Sequence, residues 1–181
     1  MSAPIRFIVN FILIMAVQVF VLNDIVLKSS FTLVGIPAFI PLIYPLVLLL
    51  LPVNTNHWLT MFLGFVVGLT MDMFCNTPGM HAAACVLLGF IRPSLLNLFF
   101  QQSIKELGDT VPTLFRMGLR SFLLYVAMAI LIHHLFFYII QIWSFKNFFY
   151  ILFKTLLSGI LSVLLILLSQ LLFAKREIRR I

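Results

Sequence analysis

Apolar stretches of about twenty residues, joined by connections too short to fold alone, make up nearly the whole chain. A helix needs about 20 predominantly apolar residues to cross the hydrocarbon core of a bilayer. Such stretches fall at about 7–27, 33–51, 57–74, 80–100, 117–141 and 147–173. In lipid, every backbone polar group has to be satisfied within the protein, which favours helices. The expected fold is therefore an all-α membrane protein of about six transmembrane helices, in a single polytopic domain covering residues 1–181.

Composition supports the bilayer as solvent. Apolar residues make up 63% of the chain and charged residues 9%, whereas a soluble domain is nearer half apolar and a quarter charged. The formal net charge of +7 sits mostly at the ends of the apolar runs. That placement points to anionic lipid headgroups and away from nucleic acid. Cys75 and Cys85 lack a CxxC or Cys/His ligand spacing, so they read as buried thiols rather than a metal pair or a disulfide. The first apolar run follows Arg6 in the manner of a signal peptide, but Val21-Leu22-Asn23-Asp24 is a poor cleavage site, and the run reads as a retained first span.

Basic residues also suggest an orientation. With the N-terminus in the cytoplasm, Arg6, Lys105, Arg116, Arg120, Lys175, Arg176, Arg179 and Arg180 lie on one side and Lys28 and Lys146 on the other. Eight against two follows the positive-inside rule and places both termini in the cytoplasm. The fourth connection, 101–116, is the largest and is expected to contain a short interfacial helix. The basic tail 175–180 is expected to rest on anionic lipid.

The second stretch carries Pro37, Pro41 and Pro45 at four-residue intervals. Proline removes a backbone donor and clashes with the preceding turn, so this span is expected to be kinked or partly unwound. It could line a substrate cavity or simply be shaped for packing. In the third stretch Gly64, Gly68, Asp72 and Asn76 share one helix face. The glycines form a GxxxG groove open to a close helix approach. Asn76-Thr77-Pro78-Gly79 is a turn signal, with Pro78 and Gly79 suited to the centre of a type II turn. The third and fourth spans should then form a tight hairpin, with Asp72 and His81 at similar depth and able to hydrogen-bond.

Four further features place polar or charged side chains in or beside the apolar stretches. Arg92, followed by Pro93, either holds an anion within the membrane or snorkels to the cytoplasmic interface. Pro93 is expected to disfavour helical geometry at Arg92. Lys154 shares a face with Ser158 and Ser162, and is expected to snorkel outward or to pair with Asp72. His133 and His134 point in different directions on a helix, which argues against joint metal ligation and for interfacial placement. His57-Trp58 reads as an interfacial anchor.

The stretch GFVVGLTMDMFCNTPGMHAAACVLLGFIR, from 64 to 92, is the most distinctive part of the chain. It resembles the rod shape-determining protein MreD family, through Gly68, Asp72, Pro78, Gly79 and His81. Residues 18–24 followed by the proline-rich stretch resemble the MreD proteins of Bacteroidetes-type bacteria. The resemblance implies a non-enzymatic inner-membrane component without cofactors. It implies an MreC-like partner and, through it, MreB filaments and the RodA synthase with its class B penicillin-binding protein. It also implies a fold similar to the substrate-binding subunits of energy-coupling-factor vitamin transporters. On this reading Gly64, Gly68, Asp72, Pro78, Gly79, His81, Arg92, Pro41 and Pro45 are structural or partner-contact residues. Pairing of two copies is left open.

Two other classes compete. A substrate-binding transporter subunit would use the broken second span with Asp72, Arg92 and Lys154, yet the chain supplies few polar residues for a cavity. A membrane enzyme would need more than Asp72 and His81, because no nucleophile or metal set accompanies them.

Overall fold

The computed structural model describes residues 3–23, 32–33, 36–37, 41–100, 108–143 and 148–173. Helix α1 (Ala3–Val17) continues into a π-helical turn (Gln18–Leu22). A two-residue ladder pairs β1 (Thr32–Leu33) with β2 (Ile36–Pro37). Then come α2 (Leu46–Leu49), α3 (His57–Cys75), α4 (Met80–Phe99), α5 (Leu114–Met117), α6 (Leu119–Ile142) and α7 (Phe148–Phe173).

Among the described residues, α3, α4, α6 and α7 are long and apolar enough to cross a membrane. The first stretch is helical, but its apolar part, Ile8–Leu22, is shorter. The second stretch differs most from a membrane-crossing helix. Its described part is a ladder, then irregular chain at 41–43, a turn at Tyr44 and Pro45, and the single turn α2. Pro41 and Pro45 each lack an amide hydrogen, and Pro45 takes the position just before α2, where that loss costs least. Unwinding was the expectation for this stretch, and a continuous span at 33–51 is corrected by it.

Local signals set the helix ends. Asn56 Oδ1 accepts from Trp58 N at 2.9 Å and caps α3. Asn76 closes α3 in the left-handed region, and Gly79 (φ 82, ψ 10) opens α4. Gly79 has the dihedrals of the third residue of a type II turn. Helix α4 runs unbroken through Arg92 and Pro93, contrary to expectation. Leu88, Leu95 and Leu96 are buried on both sides of the proline, and this packing holds the helix together.

Helix α3 packs against α4, α4 against α6, and α6 against α7. Leu42, Tyr44, Leu46, Val47, Leu48 and Leu49 are buried within this arrangement. Trp58, Phe62, Met73, Phe149, Ile160 and Leu172 face outward. Large apolar side chains outside and polar ones inside suit acyl chains as solvent. At one end of the bundle Asn23 Nδ2 donates to Cys75 Sγ at 3.4 Å. At the other end Val53 N donates to Thr110 O at 2.9 Å.

Lys28, Lys105, Lys146 and the tail 175–180 lie outside the described residues, as does the first part of the 101–116 connection, 101–107. The described end of that connection holds the four-residue α5.

Candidate functional site: a buried polar framework around an unwound segment

The α3–α4 hairpin is built on three glycines. A Cβ on Gly64 would meet the Cys85 carbonyl, and one on Gly68 would collide with backbone atoms of His81 and Ala82. Gly89 on α4 lies against the backbone of Thr60 and Met61. The GxxxG face is therefore filled by α4 of the same chain. The close helix approach expected at these glycines is made by α4, so Gly64 and Gly68 are structural residues and this face is not open to a partner helix.

Asp72 is buried and staples this hairpin. Its Oδ1 accepts from Thr77 Oγ1 at 2.5 Å and from His81 N at 3.0 Å, and its Oδ2 accepts from Ala82 N at 2.9 Å. The first amides of a helix have no partner inside the helix, and its N-terminus carries partial positive charge. A carboxylate there answers both needs. The expected Asp72–His81 hydrogen bond thus forms through the backbone amide and not the imidazole. The ring is engaged elsewhere, by Tyr44.

Tyr44 Oη lies 2.8 Å from His81 Nδ1 and 2.9 Å from His133 Nε2. A phenol has one proton, so it donates to one ring and accepts from the other. His133 Nδ1 is buried with no partner. Buried N–H groups without a partner are rarer in folded proteins than acceptors without one. The economical assignment has His133 Nε2–H donating to Tyr44, and Tyr44 O–H donating to His81 Nδ1. Tyr44→Phe removes both bonds and is expected to destabilise the fold by about 1–2 kcal/mol. Steric-trap unfolding in bicelles reads this directly.

The unwound backbone is met by side chains from four helical elements. Gln18, in the π-helical turn, donates through Nε2 to Pro41 O at 3.1 Å and accepts through Oε1 from Ile43 N at 2.7 Å. Ser162 on α7 accepts from Leu42 N at 2.9 Å and lies 3.2 Å from His134 Nε2. His134 Nδ1 is 2.9 Å from Ile130 O, and a carbonyl only accepts, so Nδ1 carries the proton. Ser162 then donates to His134 Nε2, and the set closes with no orphan. Tyr125 on α6 donates to Leu49 O at 3.3 Å. Arg92 on α4 donates to Leu51 O and, at 3.4 Å, to Pro52 O.

From the level of His81 to that of Arg92 the segment descends alongside α4 by about 16 Å, at 1.5 Å per residue. That is roughly half of a hydrocarbon core about 30 Å thick. Lipid offers no hydrogen bonds to an unwound backbone, so the surrounding helices have to supply them.

Several sequence expectations are corrected by this framework. Arg92 is buried and serves backbone carbonyls, so it does not snorkel; its Nε has no partner. His133 and His134 are core residues and not interfacial, although they do point to different partners. Lys154 neither pairs with Asp72 nor reaches water. It is buried, donates to Gln141 Oε1 at 3.3 Å, and sits 4.6 Å from the centroid of the Tyr138 ring. Gln141 lies in the last turn of α6, so the stem of Lys154 does lead its ammonium towards that helix end. Lys154→Met keeps the packing and removes a desolvated charge. Its stability is expected within about 1 kcal/mol of the parent, or slightly higher.

Cys75 and Cys85 are free thiols. Among the described residues no group of three His, Cys, Asp or Glu side chains is placed to hold a metal ion. Exposed Trp58 and half-buried His57, the latter edge-on to Phe90, suit an anchor at a helix start.

Gln18, Tyr44, Tyr125 and Ser162 carry roles that spacing did not assign. Their one common signal is a hydrogen-bonding group inside an apolar run, where such groups are costly unless used. No protein family, curated protein or solved structure matches the chain.

Proposed function

We propose that the chain is a membrane scaffold of the bacterial cell-elongation machinery, of the MreD type. It sits in the cytoplasmic membrane, passes through it six times counting the broken second span, and keeps both termini inside. Its direct partner is an MreC-like protein, through which it connects with MreB filaments and with RodA and its class B penicillin-binding protein. The supporting observation is that Gly68, Asp72 and His81 meet in one unit: the Gly68 backbone lies against that of His81, and the Asp72 carboxylate accepts from the His81 amide and from the Thr77 hydroxyl. The residues behind the resemblance thus have a shared physical task, which is to hold a hairpin rigid. Gln18, Arg92, Tyr125 and Ser162 are engaged in holding the segment 41–51, which favours a packing role for them over ligand binding.

Depletion of the protein in its native host tests this proposal. Rod-shaped cells are expected to round up as the protein is lost. Unchanged cell shape and wall insertion at full depletion would sink the reading.

A transporter subunit is the second reading, favoured by the unwound segment 41–45 that ends in the single turn α2 inside the bundle. Its weakness is that the freed amides and carbonyls already have side-chain partners. Tight binding of a small molecule by the purified protein would move the assignment to this class.

A further inference from the structure

The buried segment 41–51 is held in two different ways, and the change falls at Tyr44 and Pro45. Below the turn it bonds to itself. Leu46 N donates to Ile43 O at 3.0 Å, Leu48 N to Pro45 O at 3.0 Å, and Leu50 N to Leu46 O at 3.0 Å. Arg92 and Tyr125 add bonds to the carbonyls of Leu51 and Leu49. Above the turn the amides of Leu42 and Ile43 are held by side chains alone, those of Ser162 and Gln18. Gln18 also takes Pro41 O, and it sits in a π-helical turn, a deviation that recurs at functional sites.

Apolar burial does little to retain this upper part. Acyl chains are as apolar as leucine, so Leu42 gains little from lying against protein instead of lipid. Packing and the few polar contacts do the retaining. Each such contact contributes only modestly in a membrane protein.

We infer that residues 41–44 form a releasable strap. The latch is Gln18 on one side and Ser162 with His134 on the other. The hinge is the turn at Tyr44 and Pro45, with α2 fixed below it. When the latch opens, the Tyr44 hydroxyl withdraws from His81 and His133. A slot walled by Ser162, His134, His133 and His81 is then uncovered. The strap is a property of the chain alone, independent of the role in cell elongation.

Amide hydrogen exchange of the intact chain in lipid nanodiscs tests it, comparing Leu42 and Ile43 with Val126 and Ala129 in the middle of α6. The strap amides are expected to exchange about a hundredfold faster than those of α6. Gln18→Ala and Ser162→Ala should each add about another tenfold at Leu42 and Ile43 and leave α6 unchanged. A disulfide between Leu42→Cys and Ser162→Cys, in a chain carrying Cys75→Ser and Cys85→Ala, should slow Ile43 to the rate of α6. Strap amides as slow as those of Val126 in the unaltered chain would overturn the inference. So would variants that leave the rate unchanged or raise it equally in α6, or a disulfide that leaves Ile43 fast.

Discussion

Gly68→Ala is expected to lower stability by about 3 kcal/mol, the upper end of what overpacking costs. The reason is the nature of the obstacle. The added methyl would meet the backbone of His81 and Ala82 and not the far end of a flexible side chain. No rotamer change can make room, so the two helices have to part. Parting them pulls the Asp72 carboxylate away from the same two amides. Gly159→Ala is the internal control, because its new methyl would approach the Leu131 side chain, which can move. Gly79→Ala is the conformational control. It meets nothing within 4 Å but sits at φ 82, and is expected to cost about 1 kcal/mol. Unfolding free energies of the three variants in bicelles check the order, Gly68 far above the other two.

Asp72→Ala is the second large effect, expected at about 2–3 kcal/mol from a lost helix cap plus two buried amides left without an acceptor. The amides of His81 and Ala82 lie away from water, so nothing replaces the carboxylate. Thr77 loses its acceptor at the same time. Asp72→Asn keeps one carbonyl oxygen and one shape, and is expected to retain more than half of the stability. Loss of the hairpin should also lower the yield of any assembled complex more than it removes a chemical activity. Assembly at normal yield in both Asp72→Ala and His81→Ala would contradict this role. Thermal unfolding of the purified variants, together with complex yield, separates a folding defect from a contact defect.

How much of this was legible in the sequence depends on the element. The α3–α4 hairpin could be read because its signals are local. Glycine spacing, a turn tetrapeptide and a carboxylate one turn from it all fall within eighteen residues, Gly64 to His81. The unwinding of the second stretch was legible from Pro41 and Pro45, since proline's missing donor acts whatever surrounds it. What holds that stretch was not legible. Gln18 meets Ile43 across 25 residues, Tyr44 meets His133 across 89, and Leu42 meets Ser162 across 120. No periodicity encodes such pairings. The adjacent histidines looked interfacial because polar rings are costly inside a bilayer. The need to satisfy Tyr44 and Ser162 reverses that preference. Lys154 was misread for a related reason. Pairing with Asp72 presumed a free carboxylate, and the helix cap had already used it.

The scaffold reading is tested most directly by affinity purification of the tagged chain from native membranes, with co-purifying proteins identified by mass spectrometry. A bitopic MreC-like protein is expected in near-stoichiometric yield with the unaltered chain, and in reduced yield with Asp72→Ala. Recovery of the folded, membrane-inserted chain without any such protein would contradict the central claim.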